Sequence, residues 1–199
     1  MSGIVGSRFN IRGSGLVGSL GTDGQVFTSS GAGKSAVYEA AAGGIANARE
    51  WKLSSSVTGD PDPITGWSTC TDTMAGNIGS DMTHSSGVFS FPSTGIWLIQ
   101  ANFKWYAQSY SGDWRVHFQL SVDGGSNWTG GVCGEVYQRE MSATNTNGVM
   151  IHPPFLLDIA NTTNNKIRCG IVQTNDNIII EGSSGEKTTF IQFIRLGDT

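Results

Sequence analysis

The chain has 199 residues, enough for one sizeable domain with an arm or for two small domains. Only 14% of the residues are charged and 28 are glycine, a balance that suits short strands joined by turns and disfavours long surface helices. The formal net charge is −4 without any cluster of Lys and Arg, and no apolar run approaches the ~18–20 residues of a membrane span, so neither nucleic-acid binding nor membrane insertion is expected.

Residues 1–35 are paced by glycine, with Gly15, Gly18, Gly21 and Gly24 three apart. Apolar residues come singly or in pairs, as Ile4, Val5, Phe9, Ile11, Leu16, Leu20, Val26 and Phe27. Such a segment has too little apolar area to offset its own ordering entropy, so an extended arm that becomes ordered against a partner is expected. Those eight side chains are its candidate anchor.

Within the arm, residues 31–35 read GAGKS, the ending of a phosphate-binding loop. That loop requires a glycine five positions before Gly33, and the residue there is Thr28. Nucleotide binding is therefore not expected. Residues 36–50, AVYEAAAGGIANARE, have the only helix-like composition, interrupted by Gly43-Gly44, and are expected to form a linker or short helix.

From Trp51 onward the pattern is β. In IWLIQANFKWYAQ, Trp97, Ile99, Ala101, Phe103 and Trp105 share one face, with Gln100, Asn102 and Lys104 on the other. WRVHFQLSV alternates in the same way, with Trp114, Val116, Phe118, Leu120 and Val122 expected inward before the Asp123-Gly124-Gly125 turn. Further strands are expected at 131–138, 147–151, 154–159, 166–172 and 176–181. The last, TTFIQFIRL, is apolar on both faces: Phe190, Ile194 and Leu196 on one, Ile191 and Phe193 on the other. One face serves the core and the other needs another subunit, which makes Phe190, Ile191, Phe193 and Ile194 the candidate trimer-interface residues. The fold class expected is all-β, an antiparallel jelly-roll sandwich over 51–199 preceded by the extended Gly-rich arm.

Candidate chemistry is sparse. His117 is expected on an exposed strand face, and His84 and His152 in loops. None has a Ser, Cys or carboxylate spaced for a triad, and Glu135, Glu140, Asp158 and Glu181 form no obvious pair. Asp60-Pro-Asp62 and Asp123 with Asn127 are oxygen-rich, but turn chemistry accounts for both without a metal. Cys70, Cys133 and Cys169 are too scattered for a disulfide framework or zinc site and are expected as small buried thiols. No catalytic residue, metal or cofactor is expected, and the chain is read as a non-enzyme. Tyr110 and Trp128 stand in loop-like contexts where an aromatic ring could stack on a sugar, so they are the possible glycan contacts.

GVFSFPSTGIWLIQANFKWYA, PFLLDIANTTNNKIRCGI and TTFIQFIRLGDT resemble, in order, an early strand pair, a leucine-rich strand with its successor, and the closing strand of C1q/TNF-like jelly rolls. Asn164-Asn165 replaces the Gly-Asp common at the second turn of that family. The arm, with GTDGQVFTSSGAG, resembles the N-terminal segment of structural proteins from tailed phages, particularly marine ones. The resemblances imply a homotrimeric virion protein assembled in a host cytoplasm, joined to other virion proteins (capsid or tail) through residues 1–35. Capsid decoration or head fibre is the role expected; a short tail fibre or a receptor-binding protein for host surface glycan is the alternative.

Overall fold

The computed structural model describes residues 25–28, 37–40, 44–70, 76–109, 112–130, 135–138, 146–173 and 177–198. The chain divides into two units, Met1–Gly44 and Ile45–Thr199. In the first, β1 (Gln25–Thr28) and β2 (Val37–Ala40) form an antiparallel pair, with Val26 opposite Glu39 and Phe27 opposite Tyr38. The element after GAGKS is therefore a strand where a phosphate-binding loop would require a helix. Residues 31–35 themselves lie outside the described residues, as do Ile4, Val5, Phe9, Ile11, Leu16 and Leu20.

The second unit, the head, is an antiparallel jelly-roll sandwich. Its strands are β3 (Asn47–Leu53), β4 (Val57–Thr58), β5 (Trp67–Thr69), β6 (Thr83–Ser85), β7 (Val88–Ser90), β8 (Gly95–Ala107), β9 (Trp114–Ser121), β10 (Glu135–Gln138), β11 (Asn147–Ile159), β12 (Lys166–Gln173), β13 (Ile178–Ile180) and β14 (Phe190–Gly197). The smaller sheet runs β10-β9-β12-β7-β6 and the larger β4-β13-β8-β14-β3-β5, with β11 paired to β8. Because β14 and β13 pair with successive stretches of β8, β11 occupies the opposite edge of that strand.

Strand β8 alternates buried and half-buried residues without a break, so its odd-numbered side chains form the centre of the core. Ring pairs tie the sheets together: Phe89 of β7 lies 5.1 Å from Phe193 of β14, and Trp105 of β8 lies 5.4 Å from Trp114 of β9. Trp97, Trp105 and Trp114 are thus core residues.

Several local expectations are corrected. Residues 36–50 form strand wherever they pair: Val37–Ala40 joins β1, and Asn47–Leu53 lies along β14. Cross-strand burial of Trp51 and Leu53 outweighs the helix preference of an alanine-rich segment. Expected strands 147–151 and 154–159 are one strand, whose register shifts between His152 and Phe155 around Pro153-Pro154. Val122 is 63% exposed, because β9 ends at Ser121 and a turn takes over.

Candidate functional site

Two surfaces of the head carry the chemistry the chain offers. The first is the outward face of the larger sheet, where the register places Phe190, Gln192 and Ile194 of β14 opposite Asn102, Gln100 and Leu98 of β8. On the far side of β8, Val149, Ile151 and Leu156 of β11 sit opposite Lys104, Asn102 and Leu98. Large apolar side chains stand open here: Val149 at 56%, Ile151 at 68% and Leu156 at 60% exposure. Over β3 the same face is covered by the chain's own 181–189 segment, where Lys52 Nζ donates to Ser184 O at 3.0 Å and Lys187 pairs with Glu50. Among the described residues, the strip formed by β14, β8 and β11 is the part of this face left uncovered.

The candidate interface residues divide across this strand. Ile191 and Phe193 are fully buried inside the head, among Phe89 and Phe91, whereas Phe190 and Ile194 are half-buried on the outward face. Any contact with a neighbour is left to Phe190 and Ile194.

The second surface is on the smaller sheet. Residues 59–64 run beside β12, with Ile171 N donating to Pro61 O at 3.1 Å and Ile64 N to Cys169 O at 2.8 Å. This carries Asp62 across Gly170 onto β9, where its carboxylate lies 3.5 Å from His117 Nε2 and 3.6 Å from Arg168 Nη2. Gly170 leaves room for that crossing, since a Cβ would stand 2.7 Å from Asp62 Oδ1 and 2.9 Å from His117 Cε1. Arg168 Nε donates to Gln119 Oε1 at 2.5 Å, and the guanidinium lies 4.4 Å above the Trp128 ring. Trp128, half-buried, thus has one face already occupied by an arginine. Tyr110, its companion in the glycan expectation, lies outside the described residues.

His117, expected on an exposed face, is 5% exposed beneath the 59–64 segment, and its Nδ1 has no hydrogen-bond partner among the described residues. The other histidines are also strand residues, where loops were expected. His84 on β6 packs on Trp51 and Phe89 with ring centroids 5.4 and 4.8 Å away, and burial lowers its pKa. His152 on β11 is 1% exposed between Phe118 and Phe155.

The oxygen-rich loops are bonded within the chain, Asp123 by its own turn and Asp60 and Asp62 by distant strands. Asp123 accepts from Ser121 Oγ at 2.7 Å, from Asn127 N at 2.9 Å and from Asn127 Nδ2 at 2.7 Å, and those bonds hold its carboxyl down to about 2. Asp60 Oδ1 accepts from Gln173 N at 2.7 Å. Cys70 and Cys169 are buried free thiols, Cys70 pushed up to about 11 by burial and by the neighbouring Glu50; Cys133 lies outside the described residues. Glu181 is held by Lys104 at 2.7 Å.

No family model matches this sequence, and no curated protein does. Solved structures do resemble the fold. An Eiger TNF from S. frugiperda superposes with a TM-score of 0.59 at 12% identity, over 78% of this chain and 96% of that one. Murine APRIL at pH 5.0 gives 0.54 at 9% identity, over 75% and 98%. At such identities the likeness establishes a TNF-like jelly roll, in agreement with the fold class read from the sequence, and leaves function to the residues themselves.

Proposed function

We propose that the chain is a non-enzymatic structural protein of a tailed-phage virion. Three jelly-roll heads assemble through the outward faces of their larger sheets, and residues 1–35 tie the assembly to other virion proteins. The reading places it on the capsid as decoration or a head fibre, in a particle assembled in the host cytoplasm. The observation that carries it is the strip of exposed Val149, Ile151 and Leu156 beside half-buried Phe190 and Ile194, an apolar face that none of the described residues covers. The glycine-paced arm supports attachment, because backbone without side chains can lie close against a neighbouring protein.

A second reading, a short tail fibre or receptor-binding protein for surface glycan, draws on Trp128. Arg168 lies 4.4 Å over one face of its ring, and the reading assigns the other face to a sugar.

Sedimentation equilibrium of the full chain, together with antibody labelling of phage particles purified from lysed cultures, tests the proposal. A mass of three chains and labelling on the capsid are expected. A single-chain mass at micromolar concentration, or unlabelled particles, would sink it. Trp128→Ala, tested on a glycan array, decides the second reading: loss of a specific signal favours it, and no signal for the parent chain removes it.

A further inference from the structure

Strands β3, β14 and β8 set Glu50, Gln192 and Gln100 side by side in one row across the outward face. Glu50 is 9% exposed, and its carboxylate can only accept hydrogen bonds. Lys187 Nζ lies 3.0 Å from Oε1 and 3.1 Å from Oε2, and Gln192 Nε2 donates to Oε2. Burial works to raise the pKa of Glu50. Hydrogen bonds from Lys187, Gln192 and Cys70 outweigh it and leave the group below the usual value.

An ionised Glu50 fixes the orientation of everything beyond it. Gln192 must turn its Nε2 towards the carboxylate, so its Oε1 faces Gln100. Gln100 must then donate, and its Nε2 does so to Gln192 Oε1. One N–H and the whole Oε1 of Gln100 are left over, without a partner among the described residues. Gln100 lines a cavity of about 210 Å³ together with Asn102, Ile151, Pro154, Phe190 and Gln192.

A polar group with an open donor and an open acceptor, set in an apolar strip, is costly to cover unless its occupant satisfies both. The charges beside Gln100 are paired within the chain, Glu50 with Lys187 and Lys104 with Glu181; exposed Asp158 stands further along β11, opposite Ile96. We infer that Gln100 is the recognition element of this face and that it is met by Gln100 of neighbouring copies. Each spare N–H donates to the Oε1 of the next copy, and a closed ring uses every group with none left over. This rests on the homotrimer proposed above. A polar group that fixes geometry inside a largely apolar interface, at some cost in stability, is the role such residues play in coiled coils.

The test is Gln100→Glu in the full chain, with sedimentation equilibrium on parent and variant. A protonated carboxylic acid keeps one donor and one acceptor, so at about pH 4, near the ordinary Glu value, the variant retains assembly. At about pH 8 the introduced charges repel one another, and association is expected to weaken by roughly a hundredfold or more, while the parent assembles at both pH values. Gln100→Leu should associate at both pH values but spread over several masses, because nothing then fixes the arrangement. A Gln100→Glu chain that assembles as well as the parent at the higher pH would overturn the inference, as would a Gln100→Leu chain confined to one three-chain species. In both cases the trimer itself survives. A parent that stays single-chain overturns the trimer and this inference together.

Discussion

The two faces of β14 make opposite claims on stability, and substitutions three residues apart separate them. Phe193 is fully buried, 5.1 Å from Phe89 and edge-on to Phe91 at 6.1 Å. Phe193→Ala removes that ring from between the sheets and should cost about 3–5 kcal/mol, the usual range for a core Phe→Ala cavity. For a domain of this size about 1 kcal/mol moves the midpoint by roughly 2–4 °C, so the expected fall is on the order of 10 °C. Phe190 is half-buried on the outward face, with Lys187 Nζ 4.6 Å from its ring. Its own fold loses only that contact and some packing, about 1 kcal/mol. What Phe190→Ala should remove is part of the dependence of Tm on protein concentration, because an oligomer is stabilised by mass action and a lone chain is not. Thermal unfolding of parent and both variants, followed by near-UV circular dichroism over a wide concentration range, reads both effects. If Phe190→Ala lowers Tm as much as Phe193→Ala at every concentration, the division of β14 into a core face and an assembly face is wrong.

Three further outcomes follow from groups outside that strand. His84 accepts from Gly87 N at 3.1 Å through Nε2, and burial keeps the ring neutral. Its lowered pKa contributes stability that is complete above the unfolded value of about 6.5 and is lost as pH falls through the folded value; His84→Phe should flatten that acid-side decline in urea unfolding, and an unchanged slope would refute it. Asp123, whose bonds to Asn127 and Ser121 depress its carboxyl, should report a titration midpoint of about 2 in the amide proton shift of Asn127, and a midpoint at the ordinary aspartate value would show that the turn is open in solution. Gly170→Ala sets a Cβ 2.7 Å from Asp62 Oδ1 and 2.9 Å from His117 Cε1, so a loss of about 1–3 kcal/mol and moved His117 ring signals are expected. A parent-like Tm with unmoved signals would mean that Asp62 does not sit over this glycine.

What could be read from the sequence was what a single strand determines for itself. The alternation in 96–108 gave β8 and its inward residues directly, because a period of two assigns each side chain to a face. The doubly apolar 188–196 segment likewise announced a strand with demands on both sides. Asn47–Leu53 was hidden because its composition favours helix, and only pairing with β14 makes it a strand. The break between 151 and 154 was read at Pro153-Pro154, yet a register shift carries β11 through it along the edge of the sheet, where the prolines' missing donors cost little.

The candidate sites were less legible, for a geometric reason. Asp62, His117, Gln119, Trp128 and Arg168 come from three distant stretches, joined only because residues 59–64 bond along β12 and bring Asp62 over Gly170. Nothing local marks that crossing, so His117 looked exposed and Trp128 looked free. The Glu50–Gln192–Gln100 row is of the same kind, three polar residues that are unremarkable singly. Its one readable trace was Gln192, a carboxamide amid the apolar face of TTFIQFIRL. A strand that keeps a polar group between Phe190 and Ile194 must satisfy it sideways, since the core lies behind it. The strands alongside supply Glu50 on one side and Gln100 on the other. On the inference above, the interruption in the apolar pattern is what bears on recognition, while the apolar residues around it mark only that a surface exists.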